Sequence, residues 1–158
     1  MEWLLLIEKG FWFGIGAIGF AILFNVPPRT IFIIWLLAAL GGLAKLFLIF
    51  AGASALLASL AGATLIGILS IQAAHNKHAP PLVFSIPAVI PLVPGVYAYQ
   101  AILGLIILAG NSSVINYNEV LASTVNNGLN AIFILMSLAV GVSAPMLLTR
   151  KSSAKHMK

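Results

Sequence analysis

The chain has 158 residues, of which 61% are hydrophobic and 7% charged, with no cysteine and a formal net charge of +5. Its mean hydropathy of +1.12, against a soluble norm of about 25% charged residues, marks an integral membrane protein with no room for a soluble domain or a catalytic lobe. Disulfides, thiolate metal sites and a cysteine nucleophile are excluded, and spans of about 20 residues leave space for five crossings.

Five hydrophobic segments stand out in chain order. The first, Trp3–Phe24, opens without the basic stretch or clear cleavage site of a signal peptide, so it is expected to stay in the protein. Asn25-Val-Pro-Pro-Arg29 ends it as a turn. The second, Thr30–Phe50, contains Lys45 and runs through a tight join at Ala51-Gly-Ala53 into the third, Ala53–Ala74. That third segment bears two stripes of small residues at helical spacing: Ala51, Ala55, Ser59, Ala63, Gly67, and Ser54, Ala58, Gly62. Small residues let helix backbones approach closely in lipid, so this helix is predicted to pack on two sides. A chain this short hints at an oligomer or a partner subunit to fill both, while packing within the chain is the plainer reading. His75–Pro81 forms the next turn, the fourth segment is Leu82–Gly110, and Asn111–Glu119 precedes the fifth, Val120–Leu148. The fourth and fifth exceed the length of a span, which predicts tilting, a break or an interfacial portion.

The expected fold is all-α, with about five transmembrane helices, or four if one segment only dips into the membrane. Residues 1–148 form a single transmembrane domain and 149–158 a basic cytoplasmic tail carrying Arg150, Lys151, Lys155 and Lys158. The tail reads as a membrane-surface anchor, not a nucleic-acid contact. The positive-inside rule places Arg29, Lys77 and the tail in the cytoplasm, with the N-terminus and Glu119 outside. No internal repeat is visible, whereas alternating-access transporters are commonly built from two related halves. The chain reads as one half of a larger machine.

The most informative stretch is Ile86-Pro-Ala-Val-Ile-Pro-Leu-Val-Pro-Gly95. A proline inside a helix lacks an N–H and clashes with the carbonyl four residues back. Pro87, Pro91 and Pro94 thereby free the carbonyls of Val83, Pro87 and Ile90 on one helix face. Lipid cannot satisfy such groups, so they are expected in protein or facing a watery cavity; a kink that only shapes packing is the plainer reading. Pro94 suits the first turn of a new helix, leaving the N–H groups of Gly95, Val96 and Tyr97 as an anion-binding end. From Leu82 to Pro94 the helix rises about 18 Å at 1.5 Å per residue, roughly the middle of a 30 Å core. Such a break offers donors to a carboxylate and acceptors to an ammonium group; Tyr97, Tyr99 and Gln100 could line the same space, or the tyrosines could equally sit on a packing face.

Little else carries chemistry. Asp is absent, and the three carboxylates, Glu2, Glu8 and Glu119, are predicted near the outer face, so no acid–base pair forms and no enzyme is expected. His75 and His78 without a carboxylate or Cys are a weak metal signal, and neither a metal nor a cofactor is expected. Lys45 is a strong cation well inside a span, where a bare charge costs about 2.5–3.5 kcal/mol. It either snorkels to the outer interface or faces a polar pathway, there holding a carboxylate substrate or pairing with Glu8 or Glu119. Asn126, Asn127 and Asn130 cluster at helical spacing, for interhelical hydrogen bonds or for a pathway.

Three stretches carry a resemblance spanning most of the chain: Phe24-Asn-Val-Pro-Pro-Arg29, Ala88-Val-Ile-Pro-Leu-Val-Pro-Gly95 followed by Tyr99, and Gly141-Val-Ser-Ala-Pro145. The chain resembles the small membrane subunit of the bacterial threonine/serine exporter family, whose members are also associated with succinate export. The resemblance implies a larger partner subunit with its own helices and a cytosolic portion. It singles out Asn25, Pro27 and Arg29 at the first cytoplasmic turn, and Pro87, Pro91, Pro94, Gly95 and Tyr99 at the break. It further implies an inner-membrane secondary exporter of small hydrophilic metabolites, threonine/serine or a dicarboxylate. A non-transporting assembly subunit is the alternative.

Overall fold

A computed structural model describes residues 2–110 and 116–149, which are all helical apart from short turns. The basic tail from Arg150 onward and the first part of the turn before the last helix lie outside the described residues. Among the described residues six α-helices follow one another: α1 Glu2–Leu23, α2 Ile31–Phe50, α3 Ala55–Lys77, α4 Pro81–Val89, α5 Gly95–Gly110 and α6 Tyr117–Thr149. Among the described residues, four helices are long and apolar enough to cross a membrane. They become five if the pair Pro81–Leu92 and Gly95–Gly110 is one broken span.

The turns between helices form for local reasons. α1 ends in a left-handed residue, Asn25 (φ 53°), whose N–H donates to the Ile22 carbonyl at 3.0 Å while Val26 N–H reaches back to Ala21 at 3.0 Å. This pairing satisfies carbonyls that a helix end leaves open, and Asn is one of the few residues that tolerate the conformation. Gly52 (φ 89°) closes α2 in the same way, with Ala53 N–H on the Leu48 carbonyl at 2.9 Å. Ser54 then caps α3, its hydroxyl accepting from Leu57 N–H. His78 is the left-handed cap at the far end of α3, and Pro81 starts α4 where its missing N–H costs nothing.

The described residues fall into two compact units, one formed by the chain up to Leu92 together with Ser137 onward, the other by Val93–Met136. In the first, α1 packs on α2, α2 on α3, and α4 on both α2 and α3. Glycines set the spacing. A methyl group at Gly10 would come within 2.6 Å of Leu43 Cγ, and one at Gly42 within 2.6 Å of Phe13 Cγ. Between α2 and α3 the backbones themselves meet: a Cβ on Gly62 would lie 2.7 Å from the Gly41 carbonyl oxygen. On the other side of α3, a Cβ on Gly67 would lie 2.8 Å from the Val142 carbonyl and one on Gly141 2.8 Å from the Leu60 carbonyl. Both small-residue stripes of α3 are therefore filled by this chain's own helices from Ala58 onward. This is packing within the chain, the end of α6 supplying the second neighbour. In the second unit α5 and the start of α6 pack through Gly104, which sits against the Thr124 side chain, and Ala101 near Gly128.

Candidate functional site

The break in the fourth segment takes shape one proline at a time. Pro87 sits inside α4 and is fully buried, and the α-helix carries on only to Val89. Ile90–Leu92, with Pro91 at its centre, tightens into a 3-10 turn, a geometry common at helix ends. The Gly95 N–H then turns back to the Val93 carbonyl at 2.9 Å, and Ala98 N–H takes the Pro94 carbonyl at 3.2 Å. Pro94 is thus the residue just before α5 and not within its first turn. The expected set of three free donors is corrected to two, Val96 and Tyr97, because the tight turn at Val93 consumes that of Gly95.

Breaking the helix at this point orphans a particular carbonyl. In a continuous helix the Leu92 oxygen would accept from the N–H four residues on, at Val96. Here it accepts instead from the Lys45 ammonium at 2.8 Å. A cation at the C-terminal end of a helical run also complements the helix dipole. Lys45 therefore turns into the packed unit and ends on a backbone carbonyl, not on a carboxylate. Gly62 makes the approach possible: a Cβ there would lie 3.1 Å from a Leu92 methyl and 3.4 Å from Lys45 Cβ, besides the clash with Gly41. The α2 cation, the α3 glycine and the end of the broken helix converge on one point.

Ser59 lies three residues before Gly62, a neighbouring position on the helix surface. Its hydroxyl is fully buried and has no hydrogen-bond partner among the described residues, as is also true of Ser70 and Ser85. Sequence reasoning placed Ser59 and Gly62 in packing stripes only. The stripe signalled close approach but carried no hint that a lysine and a freed carbonyl share the spot.

The other predicted residues are distributed differently. Pro87, Pro91 and Lys45 belong to the first unit, whereas Pro94, Gly95, Tyr97, Tyr99, Asn126, Asn127 and Asn130 belong to the second. Gly95 has open space where a side chain would go. Tyr97 is half-buried, and Tyr99 is 65% exposed. Asn130 donates to the Asn126 side-chain oxygen at 3.4 Å along the same helix, so this pair is joined within α6, and Asn127 beside it is half-buried. At the first turn, Asn25 is the helix cap already described. The Pro27 carbonyl accepts both the N–H and the hydroxyl of Thr30, at 3.0 and 2.7 Å, and Arg29 is exposed. An apolar groove of about 630 Å³ lies at the other end of α3, lined by Ile71, Pro81, Leu82, Ser143 and Met146 among others.

No solved structure matches this chain. It is similar to an uncharacterized protein of Haemophilus influenzae, at 32% identity over 136 residues that cover 85% of this chain and 44% of that protein. The chain thus spans less than half the length of this curated relative. Residues 9–148 match the family model described as Threonine/Serine exporter, ThrE. That stretch holds the Asn25 turn, Lys45, the broken helix and nearly all of α6, and the chain belongs to the threonine/serine exporter family.

Proposed function

We propose that this chain is the membrane subunit of a secondary exporter for small hydrophilic metabolites, threonine and serine or a dicarboxylate such as succinate. The observation that carries this reading is the interrupted helix, whose end is held by the Lys45 ammonium on the Leu92 carbonyl at 2.8 Å. Polar groups of this kind at membrane depth are costly, and discontinuous helices are where transporters hold their substrates. Helices rocking about this point would expose the site to alternate sides of the bacterial inner membrane. The N-terminus lies outside and the basic tail in the cytoplasm.

A larger partner subunit completes the machine. Support comes from the Haemophilus influenzae relative, of which this chain matches 44%, and from the position of the carboxylates. Coupling to protons usually rests on acidic residues or histidines within the spans. Glu8 stands in the second turn of α1 and Glu119 in the first turn of α6, both near the ends of their helices, so the partner supplies the coupling group.

The rival is an assembly subunit that steadies a partner holding the whole pathway. The Asn25 turn favours it to this extent: Asn25 and Pro27 are accounted for by turn geometry alone. Export of radiolabelled threonine, serine and succinate from cells lacking their own exporters decides between the two. Cells carry this chain alone, a partner with the larger exporter domain alone, or both. Export only with both is expected. Export by the partner alone at the full rate would establish the assembly role instead.

A further inference from the structure

The Lys45–Leu92 contact has the chemistry of an occupied binding site in which the protein's own backbone is the occupant. An ammonium group has three donors, and among the described residues Lys45 uses one, on a neutral carbonyl. No carboxylate among the described residues pairs with it there. A carboxylate is the better acceptor, since it adds the attraction of opposite charges to a hydrogen bond that the ammonium already strengthens. A half-buried ammonium gains further from a partner that neutralises it. Ser59 adds a second, independent observation: a hydroxyl at full burial, unpartnered among the described residues, one turn of α3 from Gly62, where an added Cβ would lie 3.4 Å from Lys45 Cβ and 3.1 Å from a Leu92 methyl.

We infer that Lys45 and Ser59 form a carboxylate site that the Leu92 carbonyl occupies when no substrate is bound. An incoming carboxylate takes the ammonium from the carbonyl and accepts a second hydrogen bond from the Ser59 hydroxyl. The Leu92 carbonyl is then released at the point where the helix is interrupted, immediately before Val93, Pro94 and Gly95. The exchange is one hydrogen bond for another, with no proton transferred. It couples substrate arrival to the end of the broken helix by competition for one donor, and it rests on the exporter reading given above. It further specifies that the shared feature of the substrates is a carboxylate, which threonine, serine and succinate all possess.

The test is export by cells carrying both subunits, with threonine and threonine amide as competitors of radiolabelled threonine, and succinate and its diamide as competitors of radiolabelled succinate. The variants are Lys45→Met, Lys45→Arg and Ser59→Ala. The wild type is expected to prefer each carboxylate to its amide by about 10- to 100-fold, the worth of a hydrogen bond to a charged group. Lys45→Met is expected to abolish the preference, Lys45→Arg to retain most of it, and Ser59→Ala to weaken it several-fold. Unchanged preference in Lys45→Met overturns this inference and leaves the exporter reading standing, with Lys45 a mere cap for a freed carbonyl. If Lys45→Met does not accumulate, the wild type alone decides: equal competition by acid and amide sinks the site. Absence of export of threonine and succinate by the wild type pair overturns both readings together.

Discussion

Gly62 shows what a single hydrogen atom permits in this fold. The nearest atoms to a Cβ at that position include a backbone carbonyl, that of Gly41 at 2.7 Å, and a backbone cannot step aside as a flexible side chain can. Overpacking of this kind costs about 1–3 kcal/mol. Gly62→Val is therefore expected to lower the melting temperature of the detergent-solubilised protein by several degrees and to reduce export with it. Gly95 is the control, because open space surrounds it. Gly95→Val is expected to leave the melting temperature nearly unchanged, so any loss of export by that variant reports on the pathway and not on folding. Asn25 makes a third case. Its left-handed backbone would cost a β-branched residue about 1–2 kcal/mol, so Asn25→Val destabilises whereas Asn25→Gly does not. A melting curve for each separates this capping role from any contact with substrate, since a transport role would make Asn25→Gly inactive while stable.

At the scale of elements, the interrupted helix depends on Pro94 lacking an N–H and on Val93 and Gly95 forming the tight turn between them. Pro94→Ala restores a donor for the Ile90 carbonyl and removes the ring that blocks a continuous helix. Val96 N–H could then reach the Leu92 carbonyl and displace Lys45 from it. The expected outcome is intact assembly with export strongly reduced, because the interruption at which a transporter holds its substrate is closed. Co-purification of the partner and the export rate together check this. The helices themselves were legible from hydropathy and punctuation: Asn25, Gly52, His78 and Pro81 each stand where a chain direction changes. The position of the break was also legible, since three prolines in eight residues admit few other geometries. Its finer chemistry was not. A backbone carbonyl has no letter in a sequence, so the acceptor for Lys45 could be recognised only once α2 and the end of Pro81–Leu92 were side by side. The same holds for Ser59, which reads as one more small residue until its burial without a partner is seen.

At the scale of the whole molecule, the direction in which the helices cross the membrane can be read out by labelling, and the sequence offers a clean means to do so. The chain has no cysteine, so a single introduced thiol is the sole target for a maleimide that cannot cross the membrane. The α2–α3 turn at Ala51 and the α3–α4 turn at Asn76 are both exposed, and one span, α3, separates them. They must therefore face opposite sides. The positive-inside rule predicts that Ala51→Cys is labelled in intact cells whereas Asn76→Cys, beside Lys77, is labelled only after the membrane is opened. Asn118→Cys, just inside α6, is expected to behave like Ala51→Cys if the pair Pro81–Leu92 and Gly95–Gly110 forms one broken span. If that pair instead enters and leaves by the same face, Asn118→Cys will behave like Asn76→Cys. The pattern of three residues thus reads out both orientation and the number of crossings. A chain with five crossings and the N-terminus outside is also the one that a partner ending outside can precede directly. Labelling of Asn76→Cys in intact cells, with Ala51→Cys protected, would reverse the orientation.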